Sequence, residues 1–426
     1  MEGSGWLAGL RRHALEAYRR QGIPTPRVEA WKYTNLACLG REVFGPAPPV
    51  PTLTRSDLPD ARLLPLTAPR VVFINGRFAP ALSDPLPAGV AAGSLQAQLR
   101  TDPEAVRPLL ERAQTQETLE SLPLAALNLA LLDDGLFLSV AEGVTVETPV
   151  HLVHLTVPGD GPSATHPRAV MVLGKNARAV IASSFVCLPG AATFTNLVSD
   201  VILEEGAQLS HARLICGAAD GVTVGATLAS VAAGARYETF SLTLGGRLVR
   251  NETRVRLEGE GAQALVNGAY AVRAGQHVDN TVFVDHAVPH ATSSQLFKGV
   301  LDETGRAVFQ GKILVRRDAQ GSDGRQLHRA LLLAPGAEVD IKPELQIYAD
   351  DVVCGHGATA GEMDLDQLFY LQSRGLDAAT ARALLVEAFL DDAIGTVTDE
   401  RLQEALVERV RDWQRSRAQA VWSDSR

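Results

Sequence analysis

Cysteine is scarce in this 426-residue chain. Its four thiols, Cys38, Cys187, Cys216 and Cys354, are widely separated and never form a C-x-x-C. That spacing excludes a zinc ribbon or a self-contained ferredoxin-type cluster. With no secretion signal, a disulfide framework is not expected either. Long apolar runs are also missing: no window reaches the roughly 18 residues that would cross a bilayer. The first twenty residues have a helical period rather than the parts of a signal peptide, so a cytoplasmic protein without a membrane partner is expected. Positive charge is in deficit, with 40 Lys and Arg against 49 Asp and Glu and a net charge of −9. Nucleic-acid affinity rests on Lys and Arg neutralising phosphates, so nucleic acid is not an expected partner. There is no G-x-x-x-x-G-K-[ST] and no G-x-S-x-G, so the chain itself is neither a P-loop ATPase nor a hydrolase of the nucleophile-elbow type.

What is present divides the chain into three. Residues 1–133 read as a mostly helical, mixed region. Leu7, Leu10, Ala14, Leu15 and Tyr18 fall on one helical face over residues 5–21, with Gly22 as the stop. "FGPAPPVPTLTRSDLPD" is a Pro-rich surface connection. "RVVFINGRF" is a strand ending in an Asn75-Gly76 hairpin turn. Residues 92–131 return to helical spacing.

Residues 134–358 are short Val-, Leu-, Ile- and Thr-rich runs broken by turns. A small signal recurs there: "NARAV" at 176, "GAQLS" at 206, "GARYE" at 234, "GAQAL" at 261, "GRAVF" at 305 and "GAEVD" at 336. The spacings are 30, 28, 27, 44 and 31 residues, which predicts stacked coils with aligned turns. Gly206, Gly234 and Gly336 should then sit at corners, several with positive φ. A β-sandwich is the alternative. Residues 359–426 return to a helical period, with Ala383, Leu384, Val386 and Phe389 on one helix and a stripe of Leu402, Leu406, Val410 and Trp413 on the next. As a separate amphipathic unit, this tail is expected to be dispensable for folding of the coils.

The chemistry-bearing stretch is "DDVVCGHGATAG", residues 350–361. Residues two apart on a strand face one side, so Cys354 and His356 project together. They could supply two ligands for zinc, iron or an iron–sulfur cluster, or a thiolate favoured by a neighbouring imidazolium. A buried cysteine with a structural histidine is the plainer alternative. The remaining histidines, including His151, His154, His286 and His290, form no metal triad. Ser293 and Ser294 near His290 lack a nucleophile elbow.

"AEVDIKPELQIYADDVVCGHGATAGEMDLDQLFYLQSRG", preceded by "LFKGVLDETGRAVFQGKILV", closely resembles the SufB/SufD family of iron–sulfur cluster assembly scaffolds. "LVRNETRVRLEGEGA", "VFINGRF" and "RVEAWKYTNL" look like the SufD branch of that family, as do the chain length and the missing C-x-x-C. The resemblance spans nearly the whole chain. It implies a mainly β fold, a right-handed parallel β-helix flanked by N-terminal mixed and C-terminal helical domains. It implies a non-ATPase scaffold, not an enzyme, in a complex with a SufB paralogue and two copies of the SufC ATPase. The C-terminal helices would dock SufC, and the end of the β-helix would pair with SufB. Cys354 and His356 match the family's "CxHGAT" and are implied to sit at that interface as ligands shared with SufB, where a transient cluster could be held and none stably by this chain alone. Gly355 departs from the Ser common in the family, and Cys187 and Cys216 match no family cysteine. A homodimer of the isolated chain through the same surface is a further expectation. The alternatives are a SufB-type scaffold carrying the cluster itself and, in a different class, a β-helix carbohydrate-active enzyme.

Overall fold

A computed structural model describes residues 5–49, 52–113 and 115–424. Residues 1–4, 425 and 426 of the expected flanking regions lie outside the described residues, as do residues 50 and 51 of the Pro-rich connection and residue 114 of the helical stretch. The helices are α1 (Gly5–Gln21), α2 (Leu95–Thr101), α3 (Pro103–Ala113), α4 (Gln116–Ser121), α5 (Pro123–Ala130), α6 (Leu365–Ser373), α7 (Ala378–Ile394) and α8 (Glu400–Asp424). The strand Arg70–Ile74 turns through Asn75 (φ 51°) and Gly76 (φ 78°) into Arg77–Phe78, the hairpin that the Asn-Gly pair predicts.

Between Gly135 and Glu362 the ladders are parallel, and the chain alternates between two sheets. One stacks Thr193–Leu203, Val222–Val231, Leu248–Leu257, His277–His286, Arg306–Val315 and Glu338–Ile347. The other stacks Arg178–Cys187, Gln208–Cys216, Arg236–Leu244, Gln263–Val272, Thr292–Leu301, Ser322–Leu332 and Val352–Glu362. Each coil is therefore two strands and two corners, repeated in a β-solenoid of about eight turns. Parallel pairing between successive coils, such as Gln208 to Arg236 and Arg236 to Gln263, excludes an antiparallel sandwich.

The turn signal turns out to belong to two rows. Asn176, Gly206, Gly234 and Gly261 each precede a strand of the second sheet, whereas Gly305 and Gly336 precede strands of the first. The 44-residue gap is thus one and a half coils. Gly206 and Gly234 are left-handed, at φ 69° and 62°. Gly336 is at a corner but not left-handed. Its glycine answers to crowding instead, because a Cβ there would lie 2.8 Å from the Glu303 carbonyl oxygen of the coil before.

The interior of the coils is packed by Leu209, Tyr237, Val255, Val284 and Phe309 with their neighbours. The outer faces are covered as well. α5 lies on the first sheet, where Asn128 Nδ2 donates to the carbonyls of Pro167 (2.8 Å) and Asn196 (2.9 Å). Buried Arg168 beside it pairs with Asp200. The N-terminal "AWKYT" crosses the same sheet, with the Trp31 ring 4.1 Å from the Arg250 guanidinium and Thr34 Oγ1 donating to Asp279.

α7 and α8 cover the second sheet. Val386, Leu390, Ile394, Leu402, Leu406, Val410 and Trp413 share one buried cluster with Leu214, Phe240, Leu242 and Ala269 of the coils. The α8 stripe is where the period puts it. The tail is not a separate core, however, because its apolar face meets an equally apolar outer face of the solenoid.

Candidate functional site at the open end of the solenoid

The last strand of each sheet, Glu338–Ile347 and Val352–Glu362, pairs on one side only. The other side offers a row of unpaired backbone groups, the feature that templates pairing with another chain. Ile347, Tyr348 and Val353 are large apolar residues exposed beside it.

Cys354 and His356 stand on the outermost strand, in register with Gly324 and Gln326 of the coil below. They share a side, as period two requires. Cys354 is half-buried against a cluster of Ile313, Val315, Ala319 and Ala349. Gly324 leaves the room its sulfur uses, since a Cβ there would come within 3.4 Å of Sγ. Burial pushes the Cys354 thiol pKa up; a hydrogen bond from the Gly324 N–H opposes this and the Asp323 carboxylate reinforces it. The expected thiolate stabilisation by His356 is therefore not what sets this thiol within the isolated chain. His356 is exposed and makes no hydrogen bond among the described residues.

Both residues line a shallow groove of about 500 Å³ with Gln295, Arg325 and Gln326. Below His356, Gln326 Nε2 donates to Gln295 Oε1 at 3.1 Å, while Gln326 Oε1 and Gln295 Nε2 have no partner among the described residues. These glutamines were not singled out from sequence. Their signal is an inward polar position recurring at one register, Gln295, Gln326 and then His356. Among the described residues, no group of three or more His, Cys, Asp or Glu stands together as a metal site.

The other candidates are structural. His286 Nε2 meets Ser293 Oγ at 2.8 Å, but Asp285 pairs with Arg316 instead of completing a triad. His290 is a left-handed corner residue at φ 57°. His151 bonds Ser184 outside the sheet, and His154 stacks between Phe73 and Phe185 inside it. Cys187 and Cys216 are free thiols whose pKa values burial raises, that of Cys216 to about 11. Among the described residues no helix is long and apolar enough to cross a membrane.

Comparison with known proteins places this geometry. Residues 155–389 match the profile described as SUF system FeS cluster assembly, SufBD core domain, and residues 2–152 match the SufBD protein N-terminal region. The chain is 32% identical to the iron–sulfur cluster assembly SufBD family protein of Synechocystis, over 94% of this chain and 89% of that protein. It is 31% identical to the iron–sulfur cluster assembly protein SufD of Escherichia coli, over 93% of this chain and 90% of that one. With SufD of Bacillus subtilis the identity is 26%, over 94% and 92%.

Proposed function

The chain belongs to the SufBD family of SUF-system iron–sulfur cluster assembly proteins, SufD-like in its relatives, and from that premise we propose that it is the non-ATPase scaffold subunit of a complex with SufB and SufC. It pairs with a SufB paralogue through the open end of the solenoid, and the nascent cluster is cargo held between the two chains. The observation that carries this is the pair Cys354 and His356, two metal-ligating side chains on an unpaired outermost strand, with no third ligand beside them among the described residues. A partner strand laid along that edge would bring the missing ligands and cover Ile347, Tyr348 and Val353. In the isolated chain the same edge can take a second copy, giving a homodimer by the same pairing.

SufC docks on the C-terminal helices. Leu365, Phe369 and Tyr370 of α6 and Leu384 of α7 are 73%, 72%, 56% and 44% exposed, an apolar patch of the kind that marks an interaction surface. A cytoplasmic location and a scaffolding role without catalysis of its own belong to the same proposal.

Co-expression with SufB and SufC from the same organism tests this. The tagged chain should retain both partners, and the purified complex should accept iron and sulfide. Recovery of the tagged chain alone, from cells where SufB and SufC are soluble, would end the scaffold assignment.

A further inference from the structure

The solenoid interior holds a charge that cluster assembly at the open end does not use. Arg213, on the strand Gln208–Cys216, is 5% exposed. Among the described residues its single hydrogen bond runs from Nη1 to Thr227 Oγ1 at 3.3 Å. No carboxylate among the described residues pairs with it. The acidic group that acts on it is the Tyr237 hydroxyl, itself kept neutral by burial. The Phe185 ring, 5.6 Å away, is a weak counterpart. A guanidinium keeps its proton inside proteins, and a buried charge without compensation is strongly unfavourable.

The guanidinium lines a partly open cavity of about 40 Å³, along with His154, Phe185, Thr195, Gly225 and Asn251. Gly225 forms part of the wall, where even a Cβ would meet Arg213 Nη2 only at van der Waals contact, 3.6 Å. The His154 ring is clamped between Phe73 and Phe185, at centroid separations of 5.2 and 4.5 Å, and has no hydrogen-bond partner among the described residues. Burial, with Arg213 and His151 adding to it, holds His154 neutral at a pKa of about 3, so it carries one N–H to donate. Thr195 Oγ1 accepts from Thr165 at 3.4 Å and keeps its own proton free. One fixed cation, a neutral imidazole and a hydroxyl thus converge on the same space, and no acid does.

We propose that this cavity binds a small monovalent anion of chloride or bromide size, held by the Arg213 guanidinium with donors from His154 and Thr195. A water needs roughly 10–15 Å³ of space, so the cavity has room for a monatomic ion beside the guanidinium. Water alone would solvate the guanidinium without neutralising it. The site is independent of the surfaces assigned to SufB and SufC.

The test uses crystals of the full chain soaked in sodium bromide, with anomalous scattering measured at the bromine edge. A bromide peak in contact with Arg213 is expected. At fixed pH and ionic strength, the melting temperature should be higher in bromide than in gluconate by ~2 °C, as occupancy of a native-state site requires. That gain runs against the general destabilising trend of bromide as a solvent ion. Arg213→Met should abolish both signals. Water density at Arg213 with no anomalous signal overturns the proposal, as does a peak of equal strength in Arg213→Met crystals, which would mark an adventitious ion only. Should Arg213→Met fail to fold, the wild-type crystal decides by itself.

Discussion

An imidazole with no hydrogen bond among the described residues of its own chain is available to whatever the next surface brings, and His356 is in that position. The neighbouring thiol is less available. Raised by burial, Cys354 must give up its proton to become a ligand, which a bound metal drives. His356→Ala should therefore lower the iron and sulfide content of the purified SufB–SufC complex at limiting iron, by roughly tenfold in apparent affinity, with subunit ratio and ATPase activity unchanged. Cys354→Ser should have an equal or smaller effect. Wild-type iron and sulfide with His356→Ala would leave the pair as packing.

Reading this pair from sequence was feasible because alternation on a strand needs no tertiary information. Arg213 was not legible in the same way. In "SHARLIC", His211 and Arg213 alternate with Ala212 and Leu214, and a half-buried strand with that pattern would point its polar residues at solvent. Here both faces are buried, as parallel sheets require. The apolar residues meet α7 and α8, and the polar ones face the interior.

At the scale of the element, the C-terminal helices carry two surfaces with opposite fates. The buried face of α8 was visible in its period, but that of α7 only in part, since Leu384 is exposed and Leu390 and Ile394 are buried beside Val386; the target of neither was visible. Only the structure pairs Leu390 and Leu406 with Phe240 and Leu242 of the coils. Each such side chain contributes about 1.5–3 kcal/mol of burial. Deleting residues 363–426 should expose that sheet face and give an aggregating protein, not the soluble core that the tail's own amphipathic pattern suggests. Leu390→Ala should cost about 2–5 kcal/mol, lost in one cooperative transition that takes coils and helices together. Two separated transitions in urea, one for each part, would contradict the shared core. The exposed face behaves differently. Leu365→Asp combined with Phe369→Asp removes apolar area that the chain itself does not bury, so stability should change by no more than about 0.5 kcal/mol. Retention of SufC on the tagged chain should be lost. If SufC still co-purifies in full, the docking patch lies elsewhere.

The whole molecule couples its packing to pH, because the coils and the segments laid over them bury imidazoles that have no room to charge. His151, His211 and His328 are buried against Ser184, Ser183 and Tyr270. Burial holds each neutral at a pKa of about 3, with Arg70 adding to the effect at His151, and Arg213 and His154 adding to it at His211. In the unfolded chain the same groups titrate near 6.5. Between those two values the unfolded state binds more protons, so stability is full above pH 6.5 and is lost as pH falls. At pH 5 each histidine removes about 2 kcal/mol on that linkage. Carboxylates act both ways: burial outweighs Arg168 and raises Asp200, which favours the folded state as pH falls and offsets part of the histidine loss. Although burial pushes Glu252 up, Arg254 and Arg250 outweigh it and hold it below the ordinary 4.5, so its loss begins at more acid pH. The three histidines, at about 2 kcal/mol each by pH 5, outnumber that offset and set the direction of the change between pH 6.5 and 5. Urea midpoints measured at pH 7.5, 6.5, 5.5 and 5.0 should be level over the first interval and drop steeply over the last two. His328→Gln should flatten the acid slope by about one proton even if it lowers stability at neutral pH. A midpoint that stays constant down to pH 5 would mean that these imidazoles protonate in place, and that the coils open locally to let them.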